Sequence, residues 1–412
     1  MESHFGDDLK AIRPGMGRGD VLVVAPGRAF AGPFEAVLEQ QLVRRQDASA
    51  ALRALGAELK ALAGTPAFDA YADAAVERIH SVLCQGMSLS FGDNGLTDYL
   101  KAQFTSLCGR CAASLIGADA VVEGGELIVC EVTGGIPVVD ATLTRQNILA
   151  LPREGVTVVS ASYGRKVTGE TVALGQAGSE LTACLIGAAL GATVRFYVDE
   201  ATIGGVPARL TYDEASQRFA SGYPLYPPAI FPARKAGLTL EVGTPEGVRF
   251  VIAPPENVEK GIKGVLASDP MSLITVFGTG LQGSIGISSA LFGVLARSGV
   301  NIHFIAQTLS EYSITFAVRR SCTEAAEEAV RSLISDPSRS DLSFDTCPVV
   351  ILSVFGQGMR NVPGISGRVY SALGNAGINV IAASQGGEEL SISIVVEEAD
   401  AARALETLQH HV

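Results

Sequence analysis

The sequence predicts an α/β protein, in which an α/β sandwich with a mainly parallel sheet is followed by two ferredoxin-like units. Two stretches, 276–318 and 354–396, align without a gap 78 positions apart, and roughly a third of their residues are identical. A duplication of this length indicates a duplicated supersecondary unit. The β-branched runs Val21–Ala25 and Thr157–Ser160 are typical of buried parallel strands. Long helical patterns lie between those runs, as an α/β sandwich requires.

The elements of the first 260 residues follow from these patterns. Apolar residues at helical spacing predict helices over Phe34–Leu62, Phe68–Leu83 and Leu96–Ile116. Further strands are expected near Phe196–Val198 and Leu238–Val242. The segment 258–270 is interpreted as a boundary, so the predicted domains are 1–260, 261–347 and 348–412.

Each copy of the repeat has the pattern β-α-β-β-α-(β), which is typical of a ferredoxin-like unit. A glycine, Gly299 or Gly377, stands where the first helix should end. Alternation in the strands predicts that one sheet face packs on helices and the other faces a partner or solvent. The predicted strands and second helices are Leu273–Phe277, Val349–Phe355, Thr323–Ile334 and Ala399–His411.

Composition excludes several classes of function. The net charge of −12 and the absence of a basic stripe argue against nucleic acid as a partner. The apolar run at Leu181–Val194 is too short to span a membrane, and the N-terminus does not resemble a signal peptide. Seven scattered cysteines indicate a reducing cytosol, so a cytoplasmic location is expected. Cys108 and Cys111 are expected to pack along a helix rather than to bind metal.

Three motifs in the second copy resemble the ACT domain, a small-molecule-sensing module. They are G-x-G-M-x-x-x-x-G-I at Gly356–Ile365, G-I-N-V at Gly377–Val380, and S-Q-G-x-E-x-x-x-I-S at Ser384–Ser393. The resemblance implies that an amino acid binds at the joint between paired units. The alternative is that these polar side chains only cap helices and close turns. The implied effector contacts are Asn301, Gln307, Asn379 and Gln385.

Three further motifs could carry chemistry in the first 260 residues. Ser90–Asp93 is a strand-to-helix turn that ends in a carboxylate. Leu174–Ala183 is a small-residue loop that opens onto a helix, and backbone N–H groups at a helix N-terminus suit an anion. The same loop also fits ordinary helix capping. The third motif runs from Thr211–Ala215 to Tyr226–Arg234.

In this order, and ahead of two ACT units, these motifs resemble aspartokinase, a member of the amino-acid kinase family. The resemblance covers nearly the whole chain and implies ATP and Mg²⁺ as cofactors. It implies that Gly175, Gly178, Ser179 and Asp199 lie near the nucleotide. It also implies that the acceptor amino acid lies near Asp93, Glu180 and Thr182.

The sequence departs from the family at the residues that handle charge. The family's Lys-Phe-Gly-Gly strand has no match, and the chain is expected to start after it, so no catalytic residue is assigned. Gln176 replaces the arginine that grips the acceptor carboxylate, and Glu180 replaces an aspartate. Losing one charge-stabilising contact costs roughly 10²–10³ in rate, so losing two could cost on the order of 10⁴.

Three interpretations therefore remain open at the level of sequence. The first is a diverged kinase that phosphorylates the side-chain carboxylate of aspartate and is regulated by an amino acid at the ACT pair. The second is a non-catalytic paralogue that acts as a regulatory subunit of another aspartokinase-like chain. The third is a kinase repurposed to another small acid. In all three a homodimer or larger assembly is expected, because unpaired sheet edges favour symmetric association.

Overall fold

The structure is a computed structural model that describes residues 5–26, 28–86, 94–133, 135–175, 178–198, 200, 203, 206–219, 225–256, 261–283, 286–310, 312–335 and 341–411. The chain divides into two compact units. Unit 1 comprises 1–212 and 222–254, and unit 2 comprises 213–221 and 255–412.

Unit 1 contains ten helices among the described residues, and α9 continues into unit 2. The helices are α1 (Phe5–Ile12), α2 (Arg28–Leu38), α3 (Ser49–Ala63), α4 (Pro66–Gly86), α5 (Asn94–Ile116), α6 (Gly124–Leu127), α7 (Ala141–Leu149), α8 (Gly178–Leu190), α9 (Tyr212–Arg218) and α10 (Pro227–Ala236). The strands of unit 1 are β1 (Val21–Val24), β2 (Ala120–Glu123), β3 (Cys130–Thr133), β4 (Ile136–Val139), β5 (Thr157–Ser160), β6 (Tyr163–Arg165), β7 (Thr171–Ala173), β8 (Val194–Tyr197), β9 (Arg209–Leu210), β10 (Leu240–Thr244) and β11 (Gly247–Ile252).

Two sheets organise unit 1. The first is fully parallel, with strand order β1-β5-β2, and the second has the order β8-β10-β11-β9. The hairpins β3–β4 and β6–β7 form two separate two-stranded sheets. All four residues of β5 are buried, which explains the unbroken β-branched run at this position. The α/β class predicted from the sequence is confirmed.

One predicted helix of unit 1 was wrong in its extent. The pattern over Phe34–Leu62 is not one helix, because α2 ends at Leu38, a π-helical turn follows at Glu39–Val43, and α3 begins at Ser49. Arg45, in the break, has a positive φ of 55°. Periodicity continues through the break because the apolar residues on both sides face the same core, so spacing alone could not reveal it.

Unit 2 contains the repeat and the remaining elements. Its helices are α11 (Ile287–Arg297), α12 (Thr323–Ile334), α13 (Ile365–Asn375) and α14 (Ala401–His411). Its strands are β12 (Gly264–Ala267), β13 (Met271–Phe277), β14 (Phe304–Gln307), β15 (Ser313–Arg319), β16 (Ser343–Phe355), β17 (Ala382–Gln385) and β18 (Ser391–Glu397). The ferredoxin-like layout is therefore confirmed in both copies. Gly299 and Gly377, each with a φ of 68°, directly follow the C-caps of α11 and α13.

One long strand joins the two copies. The first part of β16 pairs with β13 and completes the sheet of copy 1, whereas the second part pairs with β18 and opens copy 2. β12, which precedes copy 1 in the chain, pairs with the second part of β16 as the fourth strand of copy 2. The copies are thus interleaved, a question the sequence left open. The 258–270 segment interpreted as a boundary contains this strand.

In each copy, both faces of its part of the sheet are packed against apolar residues. The helices of copy 1 and copy 2 each cover one face around separate apolar cores. The opposite faces of the two copies share a third core, which includes Leu273 and Phe304 from copy 1 and Ile351 and Val395 from copy 2. The partner that alternation predicted for the second face is thus, at these positions, the other copy in the same chain.

Candidate functional site

The carboxyl ends of three parallel strands lie side by side in unit 1. Val24, Ser160 and Glu123 are the last residues of β1, β5 and β2, and they are in register. Open parallel sheets bind ligands at this end of their strands. This edge is therefore the place at which the sequence-predicted residues have to converge if they form a site.

The turn after β5 brings the small-residue loop to this edge. Leu174 donates its N–H to the carbonyl oxygen of Ser162 at 2.9 Å. A Cβ atom on Gly178 would lie 2.7 Å from the Cα of Ser162, so only glycine permits this approach. Ser162 has a φ of 94°, a strained conformation for a residue with a side chain. The start of α8 is thereby held against the end of β5.

The residues implied as phosphate contacts lie at this helix start. Gly175 has a φ of 77°, which closes the turn before α8, and Gly178 is the first residue of the helix. Ser179 donates its hydroxyl to the Glu180 carboxylate at 2.8 Å. The N–H groups of the first turn of a helix carry partial positive charge and form a site for an anion.

The residues implied as substrate contacts differ in their burial and hydrogen bonding. Glu180 is half-buried in the first turn of α8, beside the loop. Thr182 is fully buried and donates its hydroxyl to the carbonyl oxygen of Gly178 at 2.7 Å, so this proton is already used within the helix. Asp93 and Asp199 lie outside the described residues.

A polar network at the same edge was missed by the sequence analysis. The Glu123 carboxylate accepts hydrogen bonds from the hydroxyls of Tyr163, at 2.6 Å, and Ser106, at 2.7 Å. The Arg110 guanidinium approaches the same carboxylate at 3.3 Å and stacks over the ring of Tyr71. A carboxylate directly after the β-branched pair Val121–Val122 was the signal that could have identified it.

The Tyr163 hydroxyl of this network keeps its proton. Burial, and after it the charge of Glu123, raises the pKa of the Tyr163 hydroxyl, so that this group stays a donor. Tyr163 begins β6, directly after the turn that carries Ser162. The network therefore fixes the turn against β2 and α5, and with it the position of the α8 N-terminus.

The four implied effector contacts are all exposed in unit 2. The side-chain amide of Asn301 lies 3.4 Å from His303, and Gln385 accepts a long hydrogen bond from Ser366, also at 3.4 Å. Gln307 and Gln385 are the last residues of β14 and β17, and Cα atoms of these two strands approach within 8 Å. Asn379 is exposed just after α13.

Each copy holds the turn between its first strand and first helix with a carboxylate. In copy 1, Asp341 accepts hydrogen bonds from the Gly280 N–H and the Thr279 hydroxyl. These bonds lower the pKa of Asp341. In copy 2, Glu214 accepts the N–H of Gln357 at 3.0 Å. Neither carboxylate was assigned a role from the sequence.

Metal clusters and membrane spans are absent from the part of the chain that the structure describes. No group of three or more His, Cys, Asp or Glu side chains there could hold a metal ion. Cys108 and Cys111 lie buried along α5, as expected, and burial raises the pKa of Cys111 to about 12. No described helix is both long enough and apolar enough to cross a membrane.

Known proteins match the repeat and most of the chain. A family model described as an ACT domain matches residues 274–333 and 352–412. Aspartokinase of Geobacillus stearothermophilus is 27% identical over 320 residues, which are 73% of this chain and 75% of that protein. The bifunctional aspartokinase/homoserine dehydrogenase of Haemophilus influenzae is 27% identical over 287 residues, and the match covers 65% of this chain. This chain spans 35% of the length of that relative.

Solved structures share the fold. Aspartokinase III of E. coli in complex with lysine and aspartate superposes with a TM-score of 0.77 at 15% identity, covering 99% of this chain and 96% of that one. Its complex with aspartate and ADP gives 0.76 at 16% identity, covering 98% and 96%. At this identity the structures show the fold alone. The chain is therefore similar to aspartokinases over most of its length, and its repeat matches the ACT domain in both copies.

Proposed function

We propose that this chain is an aspartokinase-type phosphotransferase that moves the γ-phosphoryl group of ATP to the side-chain carboxylate of aspartate. The observation that carries this proposal is the contact between Ser162 and Gly178, which places the N-terminus of α8 at the carboxyl edge of the parallel sheet. Backbone N–H groups at such an edge bind phosphate without any charged side chain. This geometry supports the proposal that the loop binds phosphate although its sequence has diverged.

The reaction needs few groups from the protein. An oxygen of the acceptor carboxylate attacks the γ-phosphorus, the bond to the β,γ-bridging oxygen breaks, and ADP leaves with the electron pair. The product is an acyl phosphate. Catalysis of such a transfer rests on positioning and on neutralising charge. Magnesium would enter with the nucleotide, since it is usually bound through phosphates and one or two carboxylates.

The charge-neutralising part of this site is weak. Gln176 stands where the resemblance implies an arginine, and an amide offers neither the charge nor the bidentate fork. Glu180 carries the same charge as the aspartate that it replaces, so it does not compensate for the missing arginine. We therefore propose a rate below that of an aspartokinase that keeps these groups, by about 10²-fold for the arginine alone.

An amino acid bound at the ACT pair would regulate the reaction. Support comes from the exposure of Asn301, Gln307, Asn379 and Gln385, which leaves these side chains accessible to a ligand. The complex of E. coli aspartokinase III contains lysine as well as aspartate.

Calorimetric titration of ATP and Mg²⁺, with and without aspartate, tests the proposal. Binding in the micromolar-to-millimolar range is expected, and Gly178→Val should abolish it because the new side chain would displace the start of α8 from Ser162. Gly32→Ala in α2 is the matched control, because a Cβ atom there meets nothing within 4 Å. A folded chain that gives no heat at millimolar ATP would reject the kinase proposal.

A second candidate function is a non-catalytic regulatory chain that pairs with an active aspartokinase-like kinase. The favouring observation is the contrast between the two units: both ACT copies have complete four-stranded sheets, whereas the phosphate loop has lost its arginine. Amino-acid binding without ATP binding would support this function. Co-expression with an aspartokinase from the same genome would then show whether a stable mixed assembly forms.

A further inference from the structure

The hairpin β6–β7 leads directly into the loop before α8, and its open end is hydrogen-bonded on two sides. Tyr163 and Ala173 are paired across this end of the hairpin. Along a strand of an antiparallel pair, successive N–H groups point to opposite sides. The N–H of Leu174 points inward and donates to the carbonyl oxygen of Ser162 at 2.9 Å. The N–H of Ala173 therefore points outward, away from β6.

A carboxylate on α5 accepts this outward N–H group. Oδ2 of Asp98 receives the hydrogen bond from the Ala173 N–H at 3.0 Å. Among the described residues β6 and β7 form a sheet of two strands, so no further strand supplies a carbonyl oxygen on the outer side of β7. A hydrogen bond from an N–H group to an ionised carboxylate is stronger than one to a neutral oxygen. Asp98 thus takes the place that a neighbouring strand would have in a wider sheet.

The helix that carries Asp98 is itself fixed against the parallel sheet. A Cβ atom on Gly109 would clash with the Oγ of Ser160, the last residue of β5, so the backbone of α5 packs directly on that strand end. Ser106, on the same helix, donates to the Glu123 carboxylate, and Tyr163 donates to the same group. Helix α5 is therefore bonded to β7 directly and to β6 through the Glu123 carboxylate.

The proposed phosphate loop starts at this anchored end of the hairpin. Gly175, two residues after Ala173, has a φ of 77° and turns the chain toward α8. The N–H of Gly178 donates to the carbonyl oxygen of Gly175 at 3.2 Å, so the start of α8 follows the position of this turn. A binding site made of backbone N–H groups needs accurate placement of its backbone. Without the Asp98 bond, the end of β7 would be hydrogen-bonded on one side only.

We infer that Asp98 is a positioning residue of the proposed phosphate site, because its carboxylate fixes the Ala173 N–H and, through the backbone, the loop that leads into α8. This role needs an oxygen acceptor at the Asp98 position and does not need a negative charge there. The effect on ATP binding rests on the proposed function. The anchoring of the loop does not, and it can be measured without a nucleotide.

Three variants of the full chain separate the acceptor from the charge. Asp98→Ala removes the acceptor, whereas Asp98→Asn keeps an amide oxygen and removes the charge. Lys101→Ala is the matched control, because it removes an ion pair with Glu35 from the same helix. In Asp98→Ala, hydrogen exchange measured by mass spectrometry should rise roughly ten- to a hundredfold in 171–175. Asp98→Asn and Lys101→Ala should leave exchange in this segment nearly unchanged.

Calorimetric titration of ATP with Mg²⁺ tests the consequence for the site. The apparent Kd of Asp98→Ala should rise about tenfold or more, since fewer molecules hold the loop in the binding-competent position. Asp98→Asn should restore the Kd of the wild type. Should Asp98→Ala fail to fold, Asp98→Ser replaces it, because the serine oxygen stands on Cβ and falls short of the Ala173 N–H.

Three results would overturn the inference. The first is unchanged exchange in 171–175 of Asp98→Ala. The second is an equal effect of Asp98→Ala and Asp98→Asn, because the charge and not the acceptor would then be responsible. The third is raised exchange with an unchanged Kd for ATP, which would make the bond purely structural. If the wild type binds no ATP, the kinase proposal fails, while the exchange data still decide whether Asp98 anchors the loop.

Discussion

Arg320 and Glu398 form an ion pair at 2.7 Å, and the two residues occupy equivalent positions in the two ACT copies, 78 residues apart. Contact between equivalent residues is what packing about an approximate twofold axis produces. Arg320 also donates to the carbonyl oxygen of Met271. Nearly half of each side chain is exposed, so the ion pair is expected to contribute little to stability. Its main interest is that it shows the symmetry of the packing.

Removal of this pair should therefore have a small effect. Arg320→Ala and Glu398→Ala are each expected to lower the free energy of unfolding by less than about 1 kcal/mol, with a coupling energy of about 0.2–1 kcal/mol in a double-mutant cycle. Urea unfolding measures both quantities. A coupling energy above about 2 kcal/mol would show that the pair is desolvated in solution, contrary to its exposure in the structure.

Equivalent core positions should respond alike in the two copies. Leu295 and Leu373 are equivalent, lie on α11 and α13, and are fully buried. Leu295→Ala and Leu373→Ala should each cost about 2–5 kcal/mol, because each leaves a cavity beneath a helix. Leu309 is fully exposed, so Leu309→Ala is the control and should change unfolding by less than about 0.5 kcal/mol. A cost confined to one of the two buried positions would contradict the equivalence.

Loss of one hydrogen bond from the Glu123 network should lower the free energy of unfolding. Tyr163→Phe removes the hydroxyl that donates to the Glu123 carboxylate, and a loss of about 1–3 kcal/mol in unfolding free energy is expected. Tyr370, which is 41% exposed on α13, provides the control substitution Tyr370→Phe. Equal, negligible effects of both substitutions would mean that water replaces the Tyr163 hydroxyl.

Asp341 should contribute to the pH dependence of stability. Hydrogen bonds from Thr279 and Gly280 hold the pKa of Asp341 below its ordinary value of 3.8. Because the folded pKa is the lower one, the stabilisation is present above pH 3.8 and is lost as the pH falls through the folded pKa. Denaturant unfolding of the wild type and of Asp341→Asn between about pH 6 and about pH 2.5 checks this. The variant should lose less stability on acidification, and parallel curves would contradict the prediction.

Two glycine substitutions should change the free energy of unfolding in opposite directions. Gly278 has a φ of 149°, and a Cβ atom there would lie 2.5 Å from the carbonyl oxygen of Asp341, so Gly278→Ala should cost more than about 1 kcal/mol. Gly367 lies within α13, and a Cβ atom added to it would meet no other atom within 4 Å. Gly367→Ala should stabilise by about 0.5–1 kcal/mol, since alanine favours the helix. Thermal and denaturant unfolding measure both.

Local patterns in the sequence predicted much of the fold. The helix Thr323–Ile334 and the strand Thr157–Ser160 have the bounds that the sequence predicted. The spacing of apolar residues depends on the period of the element itself, so neighbouring elements need not be known. The break between α2 and α3 was not predictable in this way, because a π-helical turn and the positive φ of Arg45 leave little trace in apolar spacing.

The candidate site was predictable only in part. Glycine spacing identified the loop at Gly175–Ser179, because such a loop and its helix are adjacent in the chain. The network around Glu123 could not be found in this way, since Ser106 and Tyr163 reach that carboxylate from positions 17 and 40 residues away. The predicted roles of Asn301, Gln307, Asn379 and Gln385 stay predictions, as do those of the loop residues.

By itself, the sequence determined that this protein has an α/β unit and a duplicated ferredoxin-like unit, because periodicity and repetition are properties of the chain. Only the tertiary structure decided that the copies are interleaved through β12 and β16, that their second faces cover one another, and that Glu214 accepts a hydrogen bond from the turn of copy 2. These features depend on which distant segments meet. That choice is made by the burial of apolar faces and by the pairing of buried polar groups, and neither is encoded in local spacing.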